Sequence, residues 1–218
     1  MQVTTVGIDL AKNVFCLHGC DANGKPVLRK QLSRRQLLSF VANLPRCLVA
    51  MEACAGAYYW AREIEKLGHQ VRLIAPKFVR PYVKANKNDA SDAEAICEAA
   101  SRPSMRFVAI KSAAQQDVQA VHRVRQQLVK ARTSLANQVR GLLAEHGIVI
   151  ARGFAPLRRA LPVMLEDRDN GLSAVMRELL GEIGERLRLE LPRFSRQFRA
   201  WFLGHLFEHI NSSILRLI

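Results

Sequence analysis

Two short apolar runs each close on a carboxylate, and that arrangement constrains the fold more than any other feature of the chain. The first, V-G-I-D-L-A-K, carries Asp9, and the second, C-L-V-A-M-E-A, carries Glu52. Short continuous apolar runs read as strands buried on both faces, and an acid at the carboxyl end of one is seldom there for packing. In open sheets flanked by helices, sites collect beyond the carboxyl ends of the strands. A third stretch, K-N-D-A-S-D-A-E-A, places Asp89 and Asp92 three apart at the start of a helical segment, on the same side of it. Two strand ends and one helix start can therefore bring four carboxylates to one place. Like charges so close raise each other's pKa unless a cation joins them, and an all-oxygen site suits magnesium or manganese.

Residues 3–9 read as a first strand and Val14–Cys20 as an alternating second. D-A-N-G-K-P at 21–26 is a turn, and Val27–Leu32 return as a third strand. Ser33 is the expected N-cap of a helix carrying Leu37, Leu38, Phe40 and Val41. Strand four runs Cys47–Glu52, and the helix after it stops at Gly68. Gln70–Ala75 make strand five, and Pro76 opens a further helix through Phe78 and Val83. The order β-β-β-α-β-α-β-α, with acids on the first and fourth strands and on the last helix, is that of an α/β fold of ribonuclease H-like type, a mixed sheet flanked by helices.

Beyond Ser112 the pattern changes. Val121, Leu128, Leu135 and Leu142 recur every seven residues, with Val118, Val124, Ala131 and Val139 filling the second seam position. A long coiled-coil-like helix ending near Gly147 is expected. Leu172–Leu191 would fold back on it as a helical hairpin, linked by the Pro-containing stretch 151–171. The expected domains are thus 1–110, 111–190 and an amphipathic helical tail, 191–218. In the tail Phe194, Phe198, Trp201, Phe202, Leu206, Ile210 and Ile214 recur at helical spacing.

A formal charge of +14 implies a polyanionic partner. Nucleic acid is favoured over a membrane, because no apolar run is long enough to span a bilayer. Bases are dense and acids nearly absent on the heptad helix. His122, Arg123, Arg125, Lys130, Arg132, Asn137, Gln138 and Arg140 are candidate nucleic-acid contacts there, and Lys12 and Lys87 beside the acids join them. The bland alternative is a solvated helix face. Five cysteines without a C-x-x-C pair argue against a disulfide framework and fit a reducing cytoplasm. Cys16, His18 and Cys20 share one strand face, where a half-buried reduced strand is preferred to a metal grip.

Each acid alone has an ordinary explanation: Asp89 as an N-cap, Asp92 or Glu94 at a helix dipole, Glu52 as a buried hydrogen-bonded acid. Together, in this order, they suit metal-assisted cutting or transfer of phosphodiesters. No phosphate-binding glycine loop, dinucleotide fingerprint or zinc-protease helix motif is present.

G-I-D-L-A-K, M-E-A-C-A-G, K-N-D-A-S-D-A-E-A-I and H-R-V-R-Q-Q-L-V-K-A-R-T-S-L-A-N-Q-V-R-G-L-L-A-E-H-G occur in order, and over residues 3–190 the chain resembles the DEDD transposases of the insertion-sequence one-hundred-ten family, relatives of the Piv invertase. The resemblance implies a RuvC-like domain whose tetrad, Asp9, Glu52, Asp89 and Asp92, binds magnesium and acts on DNA. It also implies a coiled-coil segment that supports a homodimer or higher oligomer, a structured noncoding RNA partner, and a nucleoid-associated place in the cytoplasm. The family carries a further carboxy-terminal domain with a serine nucleophile that residues 191–218 do not resemble, so a shortened chain is expected. Two alternatives follow: a nucleic-acid-binding, dimerising regulator of an intact transposase, or a standalone junction nuclease.

Overall fold

The computed structural model describes residues 2–83 and 89–187, leaving the side chains of Asp89 and Ala90 outside that description. Lys87 and the tail 191–218 also lie outside the described residues. The chain forms two compact units, Met1–Gln116 and Asp117–Ile218.

In the first unit, strands β1 (Thr5–Leu10), β2 (Val14–Cys20), β3 (Pro26–Ser33), β4 (Leu48–Glu52), β5 (Gln70–Ile74) and β6 (Phe107–Val108) build one sheet in the order β3-β2-β1-β4-β5-β6. β1 is antiparallel to β2 and parallel to β4, and β4 is parallel to β5. This is the ribonuclease H-like arrangement that the order of elements predicts.

The alternation of each strand sorts its side chains between two cores. Val6, Ile8, Val49, Met51 and Leu73 face α1 (Leu37–Ala42) and α2 (Ala57–Lys66), where Leu37, Val41, Trp60 and Ile64 are buried. Ala50 and Ile74 face the opposite way, toward α3 (Pro76–Val79) and α4 (Asp89–Ala100), with Val79, Ala95, Ile96 and Ala99. Buried His69 pins the first core. Its Nε2–H donates to the Val41 carbonyl at 3.1 Å and its Nδ1 accepts the Cys47 amide at 3.4 Å, which fixes the tautomer.

Three local expectations change. Ser33 ends β3 instead of capping a helix; its amide and hydroxyl both donate to Gln36 Oε1, and Gln36 is the residue before α1. The Pro76 helix lasts one turn and tightens into a 3-10 turn at Arg80–Tyr82, where Pro81 has no N–H to extend it. β6 is a two-residue strand that no pattern announced.

In the second unit the last third of α5 (Ala113–Ala144) packs Ala136, Val139 and Leu143 against α6 (Phe154–Glu166) and a helix over residues 174–187. The expected link 151–171 therefore holds a helix of its own. Pro156 sits in its first turn, where the missing N–H costs nothing, and Leu157 and Leu161 anchor it despite Pro162. Arg177 closes its carboxyl end, donating to the carbonyls of Met164 at 3.2 Å and Leu165 at 3.0 Å. Burial along the heptad seam is uneven: Val139 is fully buried, whereas Val124 is 44% exposed.

Candidate functional site

Strand alternation places Gly7 and Asp9 of β1, and Ala50 and Glu52 of β4, on the face that α4 covers. Ile8 pairs with Met51 across the parallel ladder, so the next step sets Asp9 and Glu52 side by side at the carboxyl ends of adjacent strands, about 5 Å apart in backbone spacing. Both carboxylates act on the same thiol. Burial raises the Cys54 thiol above its ordinary 9.0, and the negative charges of Glu52 and then Asp9 raise it further.

The helix reaches this end of the sheet because Gly7 lets it. A Cβ at Gly7 would stand 2.6 Å from the Cys97 nitrogen and 2.9 Å from Cys97 Cβ, and would collide with the Ala93 carbonyl. Glycine inside a strand often marks such a close backbone approach. The Cys97 thiol lies 3.7 Å from the Thr5 carbonyl and 3.7 Å from Cys20 Sγ, while Glu94 meets Arg29, the cross-strand partner of His18. α4 therefore runs antiparallel to β1. One helical turn back from Ala93 covers about 6 Å, as does the two-residue step from Gly7 to Asp9. The first turn of α4, with half-buried Asp92 and the backbone of Asp89, accordingly lies toward the Asp9 end.

Asp9 and Glu52 thus come together with Cys54, and the helix start that carries Asp89 and Asp92 approaches them. Among the described residues no group of three or more His, Cys, Asp or Glu side chains is close enough to share a metal ion. Cys16 and His18 are buried on β2, and the five cysteines are free thiols. Gly7 and Cys54 were not singled out from sequence. The glycine within V-G-I-D-L was the available signal for the first; nothing in the sequence marked the second.

Lys12 is exposed just past β1. On α5, His122, Arg123, Arg125, Lys130 and Asn137 are exposed. Arg132 and Arg140 are engaged within their own unit. The Arg132 guanidinium lies 5.3 Å from the Phe154 ring, and Arg140 donates to the carbonyls of Ala136 and Gly153 and to Asn137 Oδ1. No described helix is long and apolar enough to cross a membrane.

The chain is similar in sequence to known transposases. The chain is 53% identical over 208 residues to a probable family 20 transposase of Pseudomonas aeruginosa, covering 94% of this chain and 62% of that protein. It is 54% identical over 162 residues to the transposase for insertion sequence element IS1328 of Yersinia enterocolitica, covering 74% of this chain and 48% of that protein. It is 47% identical over 179 residues to the transposase for insertion sequence element IS1111A of Coxiella burnetii, covering 82% and 49%. The chain therefore spans about half to three fifths of the length of these relatives. Among solved structures, T. thermophilus RuvC in complex with Holliday junction substrate aligns with a TM-score of 0.38 and 14% identity, over 50% of this chain and 100% of that one. The family model for DEDD transposases of the IS110 type, described as Transposase, matches residues 6–148, from β1 with Asp9 through the whole of α5 and its basic face, and by that match the chain belongs to this transposase family.

Proposed function

We propose that this chain is the metal-dependent part of a DNA transposase or site-specific recombinase, with Asp9, Glu52, Asp89 and Asp92 as its acidic residues. What supports the reading is the meeting of Asp9 and Glu52 beside Cys54, at strand ends toward which α4 carries its first turn. The donor chemistry fits magnesium or manganese, which prefer carboxylate oxygen. Asp9 and Glu52 would hold such an ion from the sheet, and Asp89 and Asp92 from the helix. When bound, it supplies positive charge that orients the attacking oxygen and offsets charge developing on the phosphate. Exposed Lys12 would steady the sugar-phosphate backbone beside the acids. The exposed bases of α5 would draw in DNA and a structured noncoding RNA, and its heptad seam would join copies of the chain.

Titration calorimetry of the whole chain with Mn2+ tests the reading. Asp9→Asn and Glu52→Gln are expected to lose the ion while keeping the fold; binding equal to that of the parent rejects the site. Salt-sensitive binding to DNA with no cutting under magnesium, in a chain that does hold the ion, would favour the regulator over the nuclease.

A further inference from the structure

Beside the acids, on the same face of the sheet, Cys16 and His18 of β2 are buried, while Arg29 and Gln31 of β3 are left exposed at the flank of α4. The cross-strand register sets Asp9 opposite Cys16 and Cys16 opposite Gln31, so three side chains form a row across β1, β2 and β3. One pleat away, Gly7, His18 and Arg29 form a second row. α4 covers Gly7 but not the β3 end of these rows. A groove of about 400 Å3 results, with Cys16, His18, Arg29 and Gln31 below and Ser91 and Glu94 of α4 as its wall.

We infer that this groove binds the phosphodiester backbone of a nucleic-acid strand running to Asp9 and Glu52, with Arg29 as the phosphate contact. The direction of the strand rests on the reading of the acids given above; the groove and the placing of Arg29 in it do not. Strand spacing puts Gln31 about 10 Å from Asp9, and the diagonal step to Arg29 adds a few ångströms, a reach of one or two phosphates along an extended strand. The Arg29 side chain is 69% exposed, and its nearest described anion is Glu94 at 3.9 Å. That distance is too long for a tight fork, so a phosphate that offers two oxygens to the guanidinium competes well with the Glu94 carboxylate for Arg29. Glu94 then keeps Arg29 aimed into the groove until a strand arrives. Gln31 offers a neutral hydrogen bond along the same path, which suits a backbone read without regard to base.

The test measures anisotropy of short labelled single-stranded DNA and RNA of the same sequence, bound to the whole chain in EDTA so that no metal bridges the contact. Arg29→Glu is expected to weaken binding on the order of tenfold and to lower the salt slope by about 1. Arg29→Lys should recover most of the loss. Glu94→Gln should tighten binding, an effect opposite in sign that a misfolded variant cannot mimic. Loss for both oligonucleotides fits a contact to phosphate alone, while loss confined to DNA or to RNA names the strand that enters. If Arg29→Glu binds as the parent does, or Glu94→Gln fails to tighten binding, the inference falls. Retained Mn2+ binding in Asp9→Asn would overturn the metal site and leave the Arg29 result standing, so the two failures are separable.

Discussion

Gly7 of β1 lies directly against the backbone of α4 at Cys97, with only 2.6 Å between the position a Cβ would take and the Cys97 nitrogen. Nothing flexible stands there to yield, since the neighbours are main-chain atoms and the first carbon of a side chain. Gly7→Ala is therefore expected to push α4 off the sheet and cost about 1–3 kcal/mol of stability. Chemical denaturation measures the loss. Mn2+ affinity should fall with it, because the helix carries half of the proposed acids.

Cys54 reports on its two acidic neighbours. Burial holds its thiol above 9.0 and the charges of Glu52 and then Asp9 add to it, so removing either charge lowers it. Asp9→Asn and Glu52→Gln should each move the pH profile of Cys54 alkylation downward, read site by site by mass spectrometry. Saturating magnesium should do the same in the parent protein, where two positive charges offset the carboxylates. A profile that ignores magnesium would count against an ion between Asp9 and Glu52.

Basic residues of α5 divide into two kinds. Arg123, Arg125 and Lys130 are exposed, and alanine at each should weaken nucleic-acid binding and lower its salt slope by about 1. Arg140 donates to main-chain carbonyls at Ala136 and Gly153 and to Asn137 Oδ1. Arg140→Ala should instead destabilise the second unit by about 1–3 kcal/mol, with little change in the salt slope. Binding isotherms at several salt concentrations, beside thermal melts, separate the two effects.

Alkaline pH should expose two buried thiols. Burial pushes Cys47 up to about 11 and, with the neighbouring Cys20 adding to it, Cys97 up to about 12, against an ordinary 9.0. Both values lie above that of the unfolded chain, so their contribution is complete below pH 9 and is lost as pH rises toward 12. The stability of the parent should fall more steeply across this window than that of Cys97→Ala, measured by denaturant unfolding at each pH.

The strands carrying the acids were legible because burial on both faces leaves a plain apolar run, and a carboxylate closing such a run stands out. β2 matches its expected span, bounded by the turn signal at 21–26, but it is buried on both faces over residues 15–19 and is not the half-buried strand expected, because α4 covers the face of Cys16 and His18 as well. What escaped has physical causes. β6 is two residues long and owes its place to pairing with β5, which no local pattern records. α6 was hidden by Pro156 and Pro162, read as breaks, although Leu157 and Leu161 supply enough burial to keep it. Ser33 has the chemistry of a cap, yet the chain stays extended there and Gln36 takes its hydrogen bonds. The groove beside the acids depends on cross-strand register, and residues 16, 29 and 91 become neighbours only once the sheet has closed.

The close seat of α4 on Gly7 also sets when such a site can exist. Positions 9, 52 and 89–92 are far apart along an unfolded polymer, and only the finished packing of a late helix on an early strand gathers them. On the proposed reading a copy in which α4 has not seated on β1 is harmless to the chromosome that encodes it, because cutting power requires that contact.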